Sequence, residues 1–184
     1  MTRIVGGTLG GRRLVTPPGA GTRPTAEKVR AALANSLQAT GGLDGARVLD
    51  LYAGSGALGL ELLSRGASTA VFVEKDRAAL TALRSNVALA ALGVTVVAAD
   101  VLGFLGTPGI GRFDVVVADP PYDLAQGELV AVLDRLTAAG ALAAHADVIV
   151  ERGVKAGEPA WPDPLTGIRV RRYGDTLLCY GRAP

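Results

Sequence analysis

The stretch at residues 48–59, Val-Leu-Asp-Leu-Tyr-Ala-Gly-Ser-Gly-Ala-Leu-Gly, constrains the fold more than any other part of the chain. A short apolar run that contains Asp50 leads into closely spaced glycines, and residues 58–63 then show the apolar spacing of a helix. We predict a strand, a tight turn and a helix. Glycine at such a turn adopts backbone angles that other residues avoid and lets a ligand approach the main chain, so the turn is predicted to bind a ligand.

Residues 54–59 also match the G-x-G-x-x-G fingerprint of dinucleotide-binding folds, and Glu74 lies about twenty residues further on, as in that fingerprint. This match alone is a weak indication. Asp50 stands before the glycines, and two further motifs follow later strands, so a different nucleotide ligand is favoured. A nucleotide-dependent dehydrogenase remains an alternative at this point.

The alternation of strands and helices continues after the glycine turn. Apolar runs predict strands at residues 69–74, 95–99, 113–119 and 147–151, with helices at 76–92 and 124–139. His145 is expected on a surface loop. Near-continuous apolar strands separated by helices indicate a parallel sheet covered on both faces.

The end of the chain breaks this alternation. Residues 168–173 and 176–181 are joined by Gly174-Asp175, which is too short for a helical crossover, so the two strands should pair antiparallel. The predicted fold class is α/β, with a seven-stranded, mostly parallel, Rossmann-like sheet and an antiparallel C-terminal strand pair.

The first forty residues form an extension in front of this sheet. Residues 3–15 contain two β-prone runs around glycines and predict a hairpin, while a helix begins near Thr25 as its cap and ends before Gly41-Gly42. We expect residues 1–40 to be an RNA-facing hairpin and helix, and residues 41–184 to be the main domain.

Charge is distributed unevenly along the chain, although the formal net charge is only +2. Residues 1–47 carry seven basic and two acidic side chains, whereas residues 48–150 carry six basic and eleven acidic ones. A basic arm on an acidic core is typical of nucleic-acid binding. Our candidates for gripping an RNA backbone are Arg3, Arg12, Arg13, Arg23, Lys28 and Arg30.

Several classes of site are excluded by composition. The chain has one cysteine, Cys179, and one histidine, His145, which argues against an intrachain disulfide, a thiolate or histidine metal centre and a Ser-His-Asp triad. We expect no metal. No apolar run approaches the roughly 18 residues of a spanning helix, and no signal-peptide pattern is present, so a cytoplasmic protein without a membrane partner is expected.

Acidic residues stand at the ends of the first three predicted strands of the sheet: Asp50, Glu74 and Asp100. Ligands bind at this edge of an open α/β sheet. Glu74 suits a ribose diol, Asp100 with the Val101 N–H suits an adenine edge, and Asp50 would face a cationic or amino-bearing group. Together they predict a positively charged nucleoside without a pyrophosphate.

The fourth strand ends in Asp119-Pro120-Pro121-Tyr122. The two prolines fix the backbone, so a carboxylate, the Pro120 carbonyl and an aromatic ring are presented in set positions. Acceptors beside a stacking ring suit a planar base with an exocyclic amine.

With these motifs the chain resembles class I S-adenosylmethionine-dependent methyltransferases, in which [DN]PPY marks enzymes that methylate amino nitrogens. More narrowly it resembles the RsmD family, which methylates N2 of a guanine in 16S ribosomal RNA. The resemblance covers nearly the whole chain: Arg3-Ile4-Val5-Gly6-Gly7, Gly11-Arg12-Arg13-Leu14, Arg23-Pro24-Thr25, residues 50–59, Val73-Glu74-Lys75-Asp76, Asp119-Pro120-Pro121-Tyr122 and Tyr173-Gly174-Asp175-Thr176.

This resemblance implies roles for particular residues. Asp119, Pro120, Pro121 and Tyr122 would hold the guanine for catalysis, after the base has been unstacked. S-adenosylmethionine would be bound by Asp50, Tyr52, Ala53, Gly54, Ser55, Gly56, Glu74, Lys75, Asp100 and Val101. The implied partner is 16S ribosomal RNA within a small-subunit assembly, and we expect a monomer.

Four other functions share some of these features. N6-adenine and protein-glutamine methyltransferases also carry [DN]PPY, although the arm and Arg23-Pro24-Thr25 argue against both. A non-catalytic RNA-binding module could retain the fold, but the intact Asp119-Pro120-Pro121-Tyr122 argues against lost activity. The antiparallel ending disfavours a dehydrogenase.

Overall fold

The computed structural model describes residues 2–18, 24–90 and 93–184. The helices and strands follow one another in chain order as β1 (Thr2–Arg3), β2 (Arg13–Leu14), α1 (Pro24–Ala39), β3 (Arg47–Leu51), α2 (Ala57–Ser64), β4 (Thr69–Glu74), α3 (Arg77–Val87), β5 (Val94–Ala98), α4 (Val101–Leu105), β6 (Phe113–Ala118), α5 (Gln126–Ala138), β7 (Leu142–Gly153), β8 (Thr166–Tyr173) and β9 (Thr176–Arg182).

The central sheet has seven strands in the order β5-β4-β3-β6-β7-β9-β8, and β1 pairs with β2 in a separate ribbon. The first five strands are parallel, while β9 pairs antiparallel with both β7 and β8. The predicted sheet, its antiparallel ending and the N-terminal hairpin are therefore confirmed. Leu51 pairs with Val73 on one side and Ala118 on the other, so the residues that follow these strands emerge at one edge.

Helices cover both faces of the sheet because its strands are apolar on both sides. Val48 packs into one cluster with Val29, Leu60 and Leu83, which come from α1, α2 and α3. The next residue, Leu49, points to the opposite cluster, where side chains of α4 and α5 pack. No helix in the described part of the chain has the length and apolar character needed to cross a membrane.

The arm, defined as residues 2–18, is anchored to the sheet domain by buried contacts. Ile4 and Leu14 lie in the same apolar cluster as α1 and α2. The buried Glu61 carboxylate accepts the Val5 and Gly6 N–H groups at 2.6 and 3.0 Å. Gly7 is required at its position, because its φ is +77° and a Cβ there would lie 1.8 Å from the Ser64 carbonyl oxygen.

Asn86 of α3 joins the end of the arm to the glycine loop. Its Oδ1 accepts the Val15 N–H, and its Nδ2 donates to the carbonyl oxygens of Val15 and Ser55, each at 2.8 Å. Asn86 is 1% exposed, so losing any of these bonds would leave a buried polar group unsatisfied.

Four local predictions differ from the structure. Helix α4 was missed because its five residues continue an apolar stretch; it begins where the Asp100 side chain accepts the Gly103 N–H. Strand β7 begins at Leu142 rather than at residue 147, so His145 is exposed but lies within a strand, with φ 59°, and not on a loop. Its N–H donates to the Pro184 carbonyl at 3.0 Å, a pairing with the distant chain end that local sequence does not reveal.

The third difference lies at the end of α3, which stops at Val87 and is followed by a 3-10 turn over Ala88–Ala90. The remaining predicted helical positions, 91 and 92, are outside the described residues. Helix α1 was predicted over nearly its observed length, but it begins at Pro24, so Thr25 is its second residue and not its cap.

Candidate active site

Two cavities open at the carboxyl edge of the sheet, and Tyr52 and Asp119 line both of them. The first cavity has a volume of about 530 Å³ and is bounded by the ends of β4 and β5, the start of α4 and part of α5. The second cavity, of about 260 Å³, lies between the arm, α1, the loop after β3 and β7. A ligand that occupies both must pass Tyr52 and Asp119.

Glu74, the last residue of β4, lines the first cavity and holds the glycine loop to this strand. Its Oε2 accepts the Gly54 N–H, while its Oε1 accepts the N–H groups of Lys75 and Asp76, all at 2.8 Å. Each carboxylate oxygen has two acceptor positions, so Oε2 retains one. The position fits a ribose hydroxyl.

Asp100 and Val101 stand together at the start of α4 and also line the first cavity. The Oδ1 of Asp100 accepts the Gly103 N–H at 3.0 Å, which leaves its Oδ2 for a ligand. Val101 is the first residue of the helix, where backbone N–H groups have no intrahelical acceptor. This pairing of an acceptor and a donor fits an adenine edge.

Tyr52 stands at the junction of the cavities in a left-handed conformation, with φ 61°, which is uncommon for a residue other than glycine. Burial raises the pKa of the Tyr52 hydroxyl, and the charges of Glu128 and Asp100 add to this effect. Glu128, together with Leu102, Leu124 and Val132, was missed as a wall of the first cavity. Leu102, Glu128 and Val132 lie on helices that follow strand ends, whereas Leu124 lies in the loop before α5, and nothing local in the sequence marks any of them.

Asp50 lies inside β3 and is only 2% exposed, but it lines the second cavity. Its Oδ2 accepts the Gly59 N–H at 2.9 Å. Burial raises the pKa of Asp50 to about 7; the Gly59 hydrogen bond opposes this, and the charges of Asp119 and Glu74 add to it. A cationic ligand group beside Asp50 would favour its ionised form.

Asp119 follows β6 directly, and the loop is turned by a hydrogen bond of 2.9 Å from the Leu124 N–H to the Pro121 carbonyl. Asp119 reaches solvent at the cavity mouths, while the Tyr122 side chain is 66% exposed and lines the first cavity and a small recess beside Glu151. The carboxylate and the ring of the motif are thus both accessible at this edge.

A charged cluster of Arg30, Asp119 and Glu151 lines the second cavity. Although Asp119 is solvent-accessible, the surrounding protein desolvates its carboxyl and raises its pKa, and Arg30 opposes that shift. Burial also raises the pKa of Glu151, with a further contribution from the charge of Asp119, and Arg30 again opposes it. Two carboxyls in this cluster therefore compete for ionisation beside one guanidinium.

Sequence reasoning missed Glu151 as a site residue, although one signal was present. It ends the apolar run of the fifth predicted strand, as Glu74 ends that of the second. Ala118 pairs with Val150, so Asp119 and Glu151 follow at the same level on neighbouring strands.

The residues predicted to bind the cofactor divide between the two cavities. Glu74, Lys75, Asp100 and Val101 line the first cavity, Tyr52 lines both, and Asp50, Ala53, Gly54 and Ser55 line the second. Gly56 instead caps α2 with φ 80°, and a Cβ there would lie 2.5 Å from Leu83 Cδ1, so its observed role is in packing.

The basic residues predicted to grip RNA also differ from one another. Arg12, Arg13 and Lys28 are exposed, and Arg3 is exposed beside Glu27 at 3.7 Å. Arg30 differs from these four, because it is 9% exposed, its Nη2 donates to the Arg3 carbonyl at 3.1 Å, and it lines the second cavity instead of standing on the outer surface. Helix α1 turns it inward, toward the second cavity. Arg23 lies outside the described residues.

Within the described ranges 2–18, 24–90 and 93–184, no group of three or more His, Cys, Asp or Glu side chains is arranged to hold a metal ion. Cys179 is buried in β9, and burial raises the pKa of its thiol to about 11. Its environment is that of a packed core residue and not of a nucleophile.

Comparison with known proteins identifies relatives across nearly the whole chain. The family model described as "Conserved hypothetical protein 95" matches residues 2–182. The "Ribosomal RNA small subunit methyltransferase D" of Escherichia coli strain K12 is 40% identical over 161 residues, which cover 87% of this chain and 79% of that protein.

Solved structures show the same architecture. The "Putative methyltransferase yhhF from Escherichia coli" superposes with a TM-score of 0.86 at 36% identity and covers 98% of this chain and 97% of its own. A magnesium protoporphyrin IX methyltransferase from Synechocystis, solved with bound SAM, superposes with a TM-score of 0.68 over 90% of this chain and 87% of its own. At 16% identity the second likeness shows the fold alone.

Proposed function

The chain belongs to the RsmD family of ribosomal RNA small subunit methyltransferases, and we propose that it transfers a methyl group from S-adenosylmethionine to the N2 amine of a guanine in 16S ribosomal RNA. One observation carries the proposal: Asp119-Pro120-Pro121-Tyr122 stands where a nucleoside-sized cavity meets a charged cavity beside the basic arm.

The residues of the first cavity fit the adenosine part of the cofactor. Glu74 Oε2 would accept a ribose hydroxyl, and Asp100 with the Val101 N–H would hold the adenine edge. A volume of about 530 Å³ lies within the usual range of small-molecule sites. The amino-acid end of the cofactor fits the second cavity, where Asp50 offers a carboxyl and the glycine loop offers backbone groups.

The bound cofactor would supply an electrophilic methyl group on a sulfonium. Since Tyr52 and Asp119 separate the part of the site suited to adenosine from the part suited to the amino-acid end, the reacting centre would lie beside them. Asp119 would accept an N–H of the target amine and orient the nitrogen lone pair, while Tyr122 stacks on the base. Orientation of this kind accounts for much of the rate of such transfers.

The partner would be 16S ribosomal RNA within a small-subunit assembly in the cytoplasm. Its backbone would follow the exposed Arg12 and Arg13 and reach the second cavity, where Thr16 and Pro17 of the arm form part of the wall. Phosphate contacts of this type position a nucleic acid without reading its sequence. We propose that the protein acts as a monomer and without a metal ion.

The test is mass spectrometry of nucleosides from small-subunit RNA after incubation with the protein and methyl-labelled S-adenosylmethionine. We expect label in N2-methylguanosine, with Asp119→Ala inactive and the remote Asp114→Ala variant active as a matched control. Label in N6-methyladenosine, or no labelled nucleoside from RNA in either free or subunit form, would refute the proposal.

A further inference from the structure

We propose that Glu151 and Arg30 are specificity-determining residues that recognise the N1–H and O6 of the target guanine, beside the N2 amine held at Asp119. The inference rests on the proposed function and deepens it, because it assigns the choice of guanine over other bases to two residues outside the Asp119-Pro120-Pro121-Tyr122 motif.

The placement of the three groups matches one edge of a base. Asp119 and Glu151 directly follow the paired residues Ala118 and Val150, so their backbones lie side by side on adjacent parallel strands. Arg30 enters the same cavity from α1, and its charge acts on both carboxyls. A base whose amine lies at Asp119 would present its neighbouring ring atoms to the other two groups.

Arg30 has hydrogen-bonding capacity that the described residues do not use. It is 9% exposed, and among the described residues its Nη2 donates to the Arg3 carbonyl at 3.1 Å. Its Nε has no hydrogen-bond partner among the described residues. A buried N–H without a partner is costly. Because protein atoms cover this Nε, a ligand acceptor would satisfy it only after a small movement of the Arg30 side chain toward the second cavity, whose wall it already forms.

The order of groups on guanine complements this cluster. Along one edge guanine presents the N2 amine and N1–H as donors and O6 as an acceptor. An ionised carboxylate can only accept hydrogen bonds, and a guanidinium can only donate them. Asp119, Glu151 and Arg30 thus match the N2 amine, N1–H and O6 in turn, whereas adenine would place its bare N1 against a carboxylate.

A purely structural role is the competing explanation. Arg30 could serve only to bind the arm through the Arg3 carbonyl, with Glu151 balancing its charge. Loss of either residue would then lower activity toward every base equally. A change in preference between bases is the readout that separates the two explanations.

The experiment compares two short RNAs that carry either guanine or 2,6-diaminopurine at the methylated position. It is run at about pH 8.5, because burial raises the pKa of Glu151 to about 8 and only the ionised carboxyl lacks a hydrogen to donate to N1. 2,6-Diaminopurine keeps the amine at C2 but replaces O6 with an amine and has no hydrogen on N1. We expect wild-type protein to favour guanine in kcat/KM by on the order of 10²-fold, since a site built to bond a donor rejects an analogue without it.

Glu151→Gln should reduce this preference at least tenfold, because its amide can donate to N1 and accept from the amine at C6. Glu158→Gln, an exposed site beyond the same strand, is the matched control and should keep the wild-type preference. Equal wild-type rates on both RNAs would overturn the inference without any variant, as would an unchanged preference in folded Glu151→Gln. Wild-type protein that forms no N2-methylguanosine would instead refute the proposed function.

Discussion

The two cavities differ in how the chain builds them. The first is formed by the ends of neighbouring strands and the helices that follow them, and Glu74 there is held by three backbone N–H groups. The second is assembled from the arm, α1, the glycine loop and β7, which are far apart in sequence. In it, Asp50, Asp119 and Glu151 all have a raised pKa.

Binding and chemistry are therefore divided between the two cavities. The first cavity offers a carboxylate whose oxygens are already positioned, which suits recognition of a neutral, hydroxyl-rich nucleoside. The second concentrates carboxyls that ionise with difficulty until a cation or N–H donor arrives. Groups with perturbed pKa values in a cleft are typical of the part of a site where the reaction occurs.

The largest expected effect is at Asp119, which belongs to both cavities. Asp119→Ala should lower kcat by about 10³-fold, because the target amine loses the group that orients it. The affinity for S-adenosylmethionine should change little, since Glu74, Asp100 and Asp50 remain. Single-turnover kinetics and calorimetry measure the two quantities, and a variant with near-wild-type turnover would remove Asp119 from the reaction.

The next effect concerns Asp50 and the stability of the ligand-free protein. The pKa of Asp50 is about 7 in the folded protein and near 3.8 in the unfolded chain. The stabilisation from its protonated carboxyl is therefore fully present below about pH 4 and is lost as the pH rises through 7. Asp50→Asn keeps the neutral form at every pH. The free energy of unfolding of Asp50→Asn minus that of wild type should therefore increase by roughly 3 kcal/mol from pH 5 to pH 8.

Urea unfolding at the two pH values measures this gain. Asp114→Asn is the control without this gain: a hydrogen bond from Arg47 lowers the pKa of Asp114, so its carboxyl is ionised in the folded and unfolded protein at both pH 5 and pH 8, and the variant should lose the same stability at each. If Asp50→Asn and wild type show the same pH dependence, ionisation of the Asp50 carboxyl does not destabilise the ligand-free protein, and the description of the second cavity given above is wrong.

The smallest effect sharpens the role of the arm. Removing the arm would uncover the apolar cluster around Ile4 and Leu14 and break the Asn86 bonds to Val15, so a point substitution separates RNA binding from folding better. Arg13→Glu should weaken RNA binding about tenfold at low salt and reduce the slope of log affinity against log salt by about one. Cofactor affinity should be unchanged.

Arg112→Glu is the matched control, since it makes the same charge change at an exposed site before β6, at the opposite edge of the sheet. Filter binding across a salt series measures both variants. Equal weakening by the two substitutions would show that net charge, and not the arm, attracts the RNA.

Sequence predicted the first cavity better than the second for a physical reason. The parallel sheet could be inferred from apolar strands, and parallel strands carry the residues that follow them to one edge, so Glu74 and Asp100 could be placed without coordinates. Glu151 and the inward direction of Arg30 depend on how α1 and the arm pack over β7. That packing joins segments more than a hundred residues apart, and local patterns do not encode it.

A crystal structure of the protein with bound S-adenosylmethionine tests the division between the cavities most directly. We expect the adenosine in the first cavity with its ribose beside Glu74, the amino-acid end near Asp50, and the sulfonium methyl directed toward Asp119. Adenosine bound in the second cavity, between Arg30 and Glu151, would contradict this division.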